Sequence, residues 1–238
     1  REKHLIETLR SLVNQKVKPD KIYINLCEIY NRFAKEKYNF KYINKEKIFF
    51  KKNKNLIRII YSKDYGPITK LFGCLNKVKK DSNKIQYITI VDDDLIYRNN
   101  MIENIKNQII KNVNKCFSYC VDKIEDIKVG KGADSFSLNL NFLDNIIKYY
   151  DIIIKDNNLW FYHDDFIIST YLHLMQIEIV NLKDIYNMKN NIYILNGNMN
   201  KRALQNLQGD KSPVNLNKKL RESYNKLLTN NSFECIKN

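Results

Sequence analysis

Glycine and proline are scarce in this sequence, six and three among 238 residues. So few breakers leave no Gly/Pro/Ser-rich linker, which argues against a string of small modules and for one principal domain. The five cysteines, Cys27, Cys74, Cys116, Cys120 and Cys235, form no CxxC pair and leave an odd one over. That spacing suits neither a zinc site nor a disulfide framework, so they read as reduced, mostly buried thiols in a cytoplasmic, reducing compartment. No apolar stretch approaches the roughly 20 residues that span a bilayer, so no transmembrane segment is expected. A secretory leader is not visible either, and no internal repeat is found.

Positive charge is what the chain has in excess: 41 Lys and Arg against 26 Asp and Glu give a net charge of +15. Such a balance suits an anionic partner. The lysines are spread over the whole chain, however, with dense clusters only at residues 51–54 and 77–80. Dedicated nucleic-acid binding is therefore not expected.

Hydrophobic periodicity alternates between helix and strand. Glu2 to Gln15 carries Leu5, Ile6, Leu9, Leu12 and Val13 at helical spacing. Strands are read at residues 21–26 and 56–61. Pro67 opens a helix with Ile68, Leu71, Phe72, Leu75 and Val78 on one face, Pro being suited to a first turn. A further apolar run, Ile85 to Val91, ends in three carboxylates. Helices follow at 100–112, 141–155 and 164–176, with strands at 116–121 and 177–182. This order predicts an α/β fold with a mostly parallel central sheet and helical crossovers. Residues 1–195 form the domain, and residues 196–238 form a C-terminal helical extension that starts at Ser212 and Pro213 and presents Val214, Leu216, Leu220, Tyr224, Leu227 and Leu228. That extension is expected to pack on the sheet, close over a ligand or mediate a homodimer.

Asp92, Asp93 and Asp94 are the most informative residues. Three Asp can simply cap a strand or open a turn. The preceding apolar run, however, has the pattern of a strand buried on both faces, and ligand crevices of open α/β sheets lie past the carboxyl ends of such strands. On an extended segment Asp92 and Asp94 point to one side, where two oxygens can grip one hard cation.

Four motifs in order now resemble a known family: ETLRSLVNQKVKPDKI at residues 7–22, SKDYGPITKL at 62–71, VDDDLIY at 91–97 and HDDFIISTYL at 163–172. The chain resembles the GT-A-fold glycosyltransferases, of the family-2-like group with a DxD motif. Family members carry one more strand ahead of the segment that begins at Arg1, so the resemblance implies that it lies upstream. It also implies a Rossmann-like GT-A domain, a nucleotide-sugar donor, UDP being the default, and a glycan or protein acceptor. The implied cofactor is Mn²⁺ or Mg²⁺ with Asp94 and then Asp92 as its residues: Asp94 binds directly, Asp92 contacts the ribose or a metal-bound water, and Asp93 points away. Arg1, Asp64, Tyr65, Gly66, Lys70, Asp92 and Asp93 fall on the nucleotide-sugar side. Asp64 also reads as an N-cap, and Lys70 as a solvated helix lysine. Asp165, with Asp164 as the alternative, maps onto the general base of an inverting transfer. The same pair also suits the first turn of a helix through its dipole. Trp160 and Asp134, the latter with Gly132 and Ala133, are the acceptor-side candidates, although a lone Trp is often core. His163 reads as a loop residue.

Two other classes use clustered Asp. A metal-dependent nuclease or polymerase needs further carboxylates converging on the triplet. A catalytically inactive nucleotide-sugar-binding protein keeps the fold without turnover.

Overall fold

The computed structural model describes residues 2–27, 29–31, 36–37, 46–80, 87–195 and 213–237. The N-terminal half runs α1 (Glu2–Val13), β1 (Ile22–Leu26), the short pair β2 (Ile29–Tyr30) and β3 (Glu36–Lys37), α2 (Lys47–Lys52), β4 (Ile57–Tyr61) and α3 (Thr69–Lys80). Next come β5 (Tyr87–Ile90), β6 (Leu95–Tyr97), α4 (Met101–Lys111), β7 (Cys116–Ser118), β8 (Val121–Ile124), β9 (Ile127–Gly130) and β10 (Phe136–Asn139). The remainder is α5 (Ile146–Asp156), α6 (Asp164–Leu174), β11 (Ile179–Asn181), α7 (Leu182–Ile185), β12 (Tyr193–Leu195), α8 (Pro213–Thr229) and α9 (Glu234–Lys237).

The fold is mixed α/β, and its sheets are small. The largest has four strands in the order β11-β7-β10-β5. Strand β11 runs parallel to β7, whereas β10 is antiparallel to both β7 and β5. Strands β1 and β4 pair in parallel as a separate ribbon, and β6–β12, β8–β9 and β2–β3 are antiparallel pairs. The mostly parallel central sheet expected from the strand pattern is thus not what the described residues form. The reason lies between Ser118 and Phe136. A parallel return needs a crossover of a dozen or more residues, usually a helix. Here the β8–β9 hairpin fills the connection, and β10 comes back antiparallel. A run apolar on both faces reports burial, not the direction of its neighbours.

Strand alternation divides the core between two faces. Cys116 and Ile179 pack into one cluster with α3, α5, α6 and α8, while their neighbours Phe117 and Val180 pack into the other with α1 and α4. Helix α8 buries Leu216, Leu220, Tyr224 and Leu227 in the first cluster. Trp160 belongs to the same cluster. It is wholly buried, stacks on Phe166 at 5.6 Å between ring centres and donates its indole N–H to Ser223 Oγ on α8 at 3.0 Å. The expected acceptor role of Trp160 is therefore corrected: the ring staples the C-terminal helix to the domain. All five cysteines are free, with Cys27, Cys74 and Cys116 buried. Among the described residues no helix is long and apolar enough to cross a membrane.

Two close approaches position α3. Gly66 has φ +75°, and a Cβ there would lie 2.1 Å from the Phe161 carbonyl oxygen, so only glycine fits. At Gly73, in the middle of α3, a Cβ would lie 2.7 Å from the Asn25 side chain, whose amide in turn donates to the Lys70 carbonyl at 2.9 Å. Helix α3 is thereby locked onto β1 on one side and its leading turn onto the segment before α6 on the other.

Candidate active site

Strand β5 stops at Ile90, and the triplet follows in a turn rather than as extended strand. The same-side argument for Asp92 and Asp94 therefore does not apply. A local network fixes Asp92 instead: its N–H donates to Tyr97 Oη at 2.9 Å, and the Tyr97 hydroxyl donates to the Ala133 carbonyl at 3.2 Å. Asp93 and Asp94 are half-buried in the turn.

Opposite Asp92, the first turn of α6 presents Asp164 and Asp165. His163 caps this helix through Nδ1, which accepts from the Phe166 N–H at 3.3 Å. The role of that nitrogen as an acceptor needs a neutral imidazole, and burial does lower the His163 pKa, with Lys131 adding to the effect against the opposing pull of Asp164. A residue read as plain loop is thus the N-cap.

Lys70, in the first turn of α3, joins the two sides. Its ammonium pairs with Asp92 and lies 2.9 Å from Asp164 Oδ2. Burial works against its charge, but Asp164, Asp92 and Asp165 together outweigh burial and hold its pKa well above the ordinary value. The solvated-lysine reading is corrected: Lys70 is the hub of the cluster. Asp164 is 7% exposed, and burial disfavours its ionised form, yet the charge and hydrogen bond of Lys70 prevail and hold its carboxyl below the usual range.

Asp165 differs from its neighbour. Burial, then the charges of Asp164 and Asp92, push its pKa up to about 8, against the opposing Lys70 charge and a 2.8 Å hydrogen bond from the Gly132 N–H to Oδ1. Adjacent carboxylates with pKa values pushed apart are the usual mark of an acid/base pair, one ionised and one protonated near neutrality. A Cβ at Gly132 would come within 3.1 Å of Lys70 Nζ and 3.2 Å of Asp165 Oδ1, so the small residue lets the backbone donor sit against both. Asp134, two residues on, lies at the edge of the same cluster. Burial raises its pKa to about 6, with Asp92 and Asp122 adding to the rise and Lys183 and Lys131 opposing it.

The nucleotide-side candidates divide. The carboxylate of Asp64 is taken up by backbone donors, Gly66 N–H at 2.8 Å and Asn31 N–H at 2.6 Å, so it shapes the loop before α3. Tyr65 packs edge-on against Phe72 and Tyr150, and Gly66 abuts Phe161. These three residues lie between β4 and α3, and the contacts they make there serve the scaffold. Arg1 lies outside the described residues.

Sequence reasoning did not single out Tyr97 or Lys131. Nothing in the local pattern marks Tyr97, because its role depends on a loop more than thirty residues away. A cleft of about 250 Å³ lined by Asp126, Lys128, His173, Gln176 and Glu178 lies at the far end of α6, away from these carboxylates.

Oxygen donors suit a hard divalent cation, and the ammonium drawn in between Asp92 and Asp164 shows that this place favours positive charge. Among the described residues, no group of three or more His, Cys, Asp or Glu is arranged around an ion site. The donor set fits Mn²⁺ or Mg²⁺ in its chemistry, with Asp92 already engaged by Lys70. Comparison with protein-family models, curated proteins and solved structures finds no match for this chain.

Proposed function

We propose that this chain transfers a sugar from a nucleotide-sugar donor, a UDP-sugar by preference, to an acceptor hydroxyl, with a divalent cation held by Asp92 and Asp94. The observation that carries the reading is the convergence of Asp92, Asp164 and Asp165 on Lys70, just past the carboxyl end of β5. It joins three of the four motifs on which the resemblance rests.

In this reading Asp165 is the general base. Ionised, it takes the acceptor's proton as the hydroxyl oxygen attacks the anomeric carbon from the face opposite the leaving diphosphate. Its raised pKa makes it a stronger base than an ordinary carboxylate once ionised. Asp164, kept anionic by Lys70, maintains that raised affinity for the proton. The Gly132 N–H occupies one oxygen of the Asp165 carboxyl, which leaves the other for the acceptor's proton. A bound cation would supply Lewis-acid neutralisation of the charge developing on the leaving diphosphate.

The test is a panel of nucleotide sugars with Mn²⁺, followed for donor turnover in the wild type and in Asp94→Ala and Asp165→Asn. Turnover lost in both variants supports the proposal. Absence of UDP or GDP binding by calorimetry, with and without metal, sinks it. The same convergence of carboxylates also favours a second reading, phosphodiester cleavage with two metal ions, which predicts nicking of a labelled oligonucleotide in Mn²⁺ that Asp92→Asn abolishes.

A further inference from the structure

Two cations held against one carboxylate repel each other, and in this site the first cation belongs to the protein. We propose that Lys70 is a resident counter-ion that a divalent metal must displace from Asp92, so that metal affinity is set by competition with the ammonium. The inference deepens the metal-dependent reading of the same site and rests on it.

The anchoring of Lys70 makes the competition specific. Its backbone cannot yield: the carbonyl accepts from Asn25 Nδ2, and Gly73 one turn later leaves no slack against the same Asn25 side chain. Only the four-carbon stem is free to swing, and at 26% exposure the side chain has a route toward solvent. The destination is built in. Asp164 Oδ2 lies 2.9 Å from the ammonium and has no partner apart from that ion pair, so a lysine released from Asp92 keeps one ionic partner and stays beside Asp165. Ion entry therefore moves the ammonium from a bridge between two carboxylates to a pair with one. With the ammonium held against Asp92, an incoming ion meets a like charge within about 4 Å, where Coulomb repulsion in a partly buried site is strong.

Mn²⁺ binding to the full chain, without donor or acceptor, tests this by calorimetry or by the electron paramagnetic resonance of the free ion. Lys70→Met, similar in length and uncharged, is expected to tighten Mn²⁺ binding by about tenfold or more, while Lys70→Arg stays at or below wild type. In the wild type, saturating Mg²⁺ should shift the ε-methylene resonance of Lys70, assigned by its loss in Lys70→Arg, and Asp92→Asn should abolish the response. The NMR arm needs only wild-type fold and so stands even if Lys70→Met does not fold. Equal or weaker Mn²⁺ binding in Lys70→Met, a Lys70 resonance indifferent to Mg²⁺, or no ion binding by any form overturns the proposal. Competition without sugar transfer would leave the inference standing and overturn the function alone; transfer with no competition would do the reverse.

Discussion

Replacing Asp165 by Asn should remove a specific pH dependence of stability. The folded chain holds this carboxyl's proton up to about pH 8, because burial and then the charges of Asp164 and Asp92 oppose its ionisation. Unfolded, the same group ionises near pH 4. Between those values the folded state carries a proton that the unfolded state lacks, so stability is fully present below about pH 4 and declines as pH rises toward 8, by up to about 1.4 kcal/mol per pH unit. Across the window the loss sums to roughly 5 kcal/mol as an upper bound. Asn keeps an oxygen for the Gly132 N–H and cannot ionise, so the variant lacks this slope. Asp134, with its pKa near 6, titrates in both proteins and cancels in the difference. The assay is urea unfolding of wild type and Asp165→Asn at intervals from pH 5 to 9. The stability difference should shift in favour of Asn up to about pH 8 and then level off. A difference constant across pH 5–8 would refute the account of Asp165, whatever the protein's activity.

If Asp165 is the general base, turnover in a sugar-transfer assay should rise with pH through about 8, since at pH 7 only about a tenth of it is ionised; a flat profile from pH 6 to 9 argues against that role. Trp160→Ala should destabilise the chain by about 3–5 kcal/mol and Trp160→Phe by about 1–3 kcal/mol, because the first empties a core site and the second leaves Ser223 without its indole donor. Denaturant melts check both, and a near-neutral Trp160→Ala would mean that the ring is not buried. Gly66→Ala, with its Cβ 2.1 Å from a carbonyl oxygen, should lower the melting temperature far more than Gly132→Ala, whose contacts of 3.1 and 3.2 Å are with side chains; parallel thermal scans decide.

Those elements whose cause is local were readable in the chain. The stripes of α1, α3 and α8, the strand before the triplet and the acidic pair opening α6 all follow from spacing and helix-start chemistry, and all are present. What escaped depends on distant partners. The direction of β10 is decided by a hairpin whose turn, at Glu125 with φ 55°, carries no Asn-Gly signal. The burial of Trp160 depends on Ser223. Lys70 read as a nucleotide-side residue or a solvated helix lysine; its ion pairs were not legible, because the carboxylates that make them lie on two other elements. For Asp64, where a nucleotide contact and a local capping role both read from the chain, Gly66 and Asn31 N–H groups take up the two carboxylate oxygens.

The contact between Gly66 and Phe161 ties the leader of the lysine-bearing helix to that of the carboxylate-bearing helix, backbone against backbone. The spacing of Lys70 and the Asp164–Asp165 pair is thus gauged by main-chain atoms, which substitution of side chains does not alter. Charged residues of the crevice can be exchanged over evolutionary time, or by an engineer, against an unchanging ruler. Altered chemistry can arise here without a new scaffold.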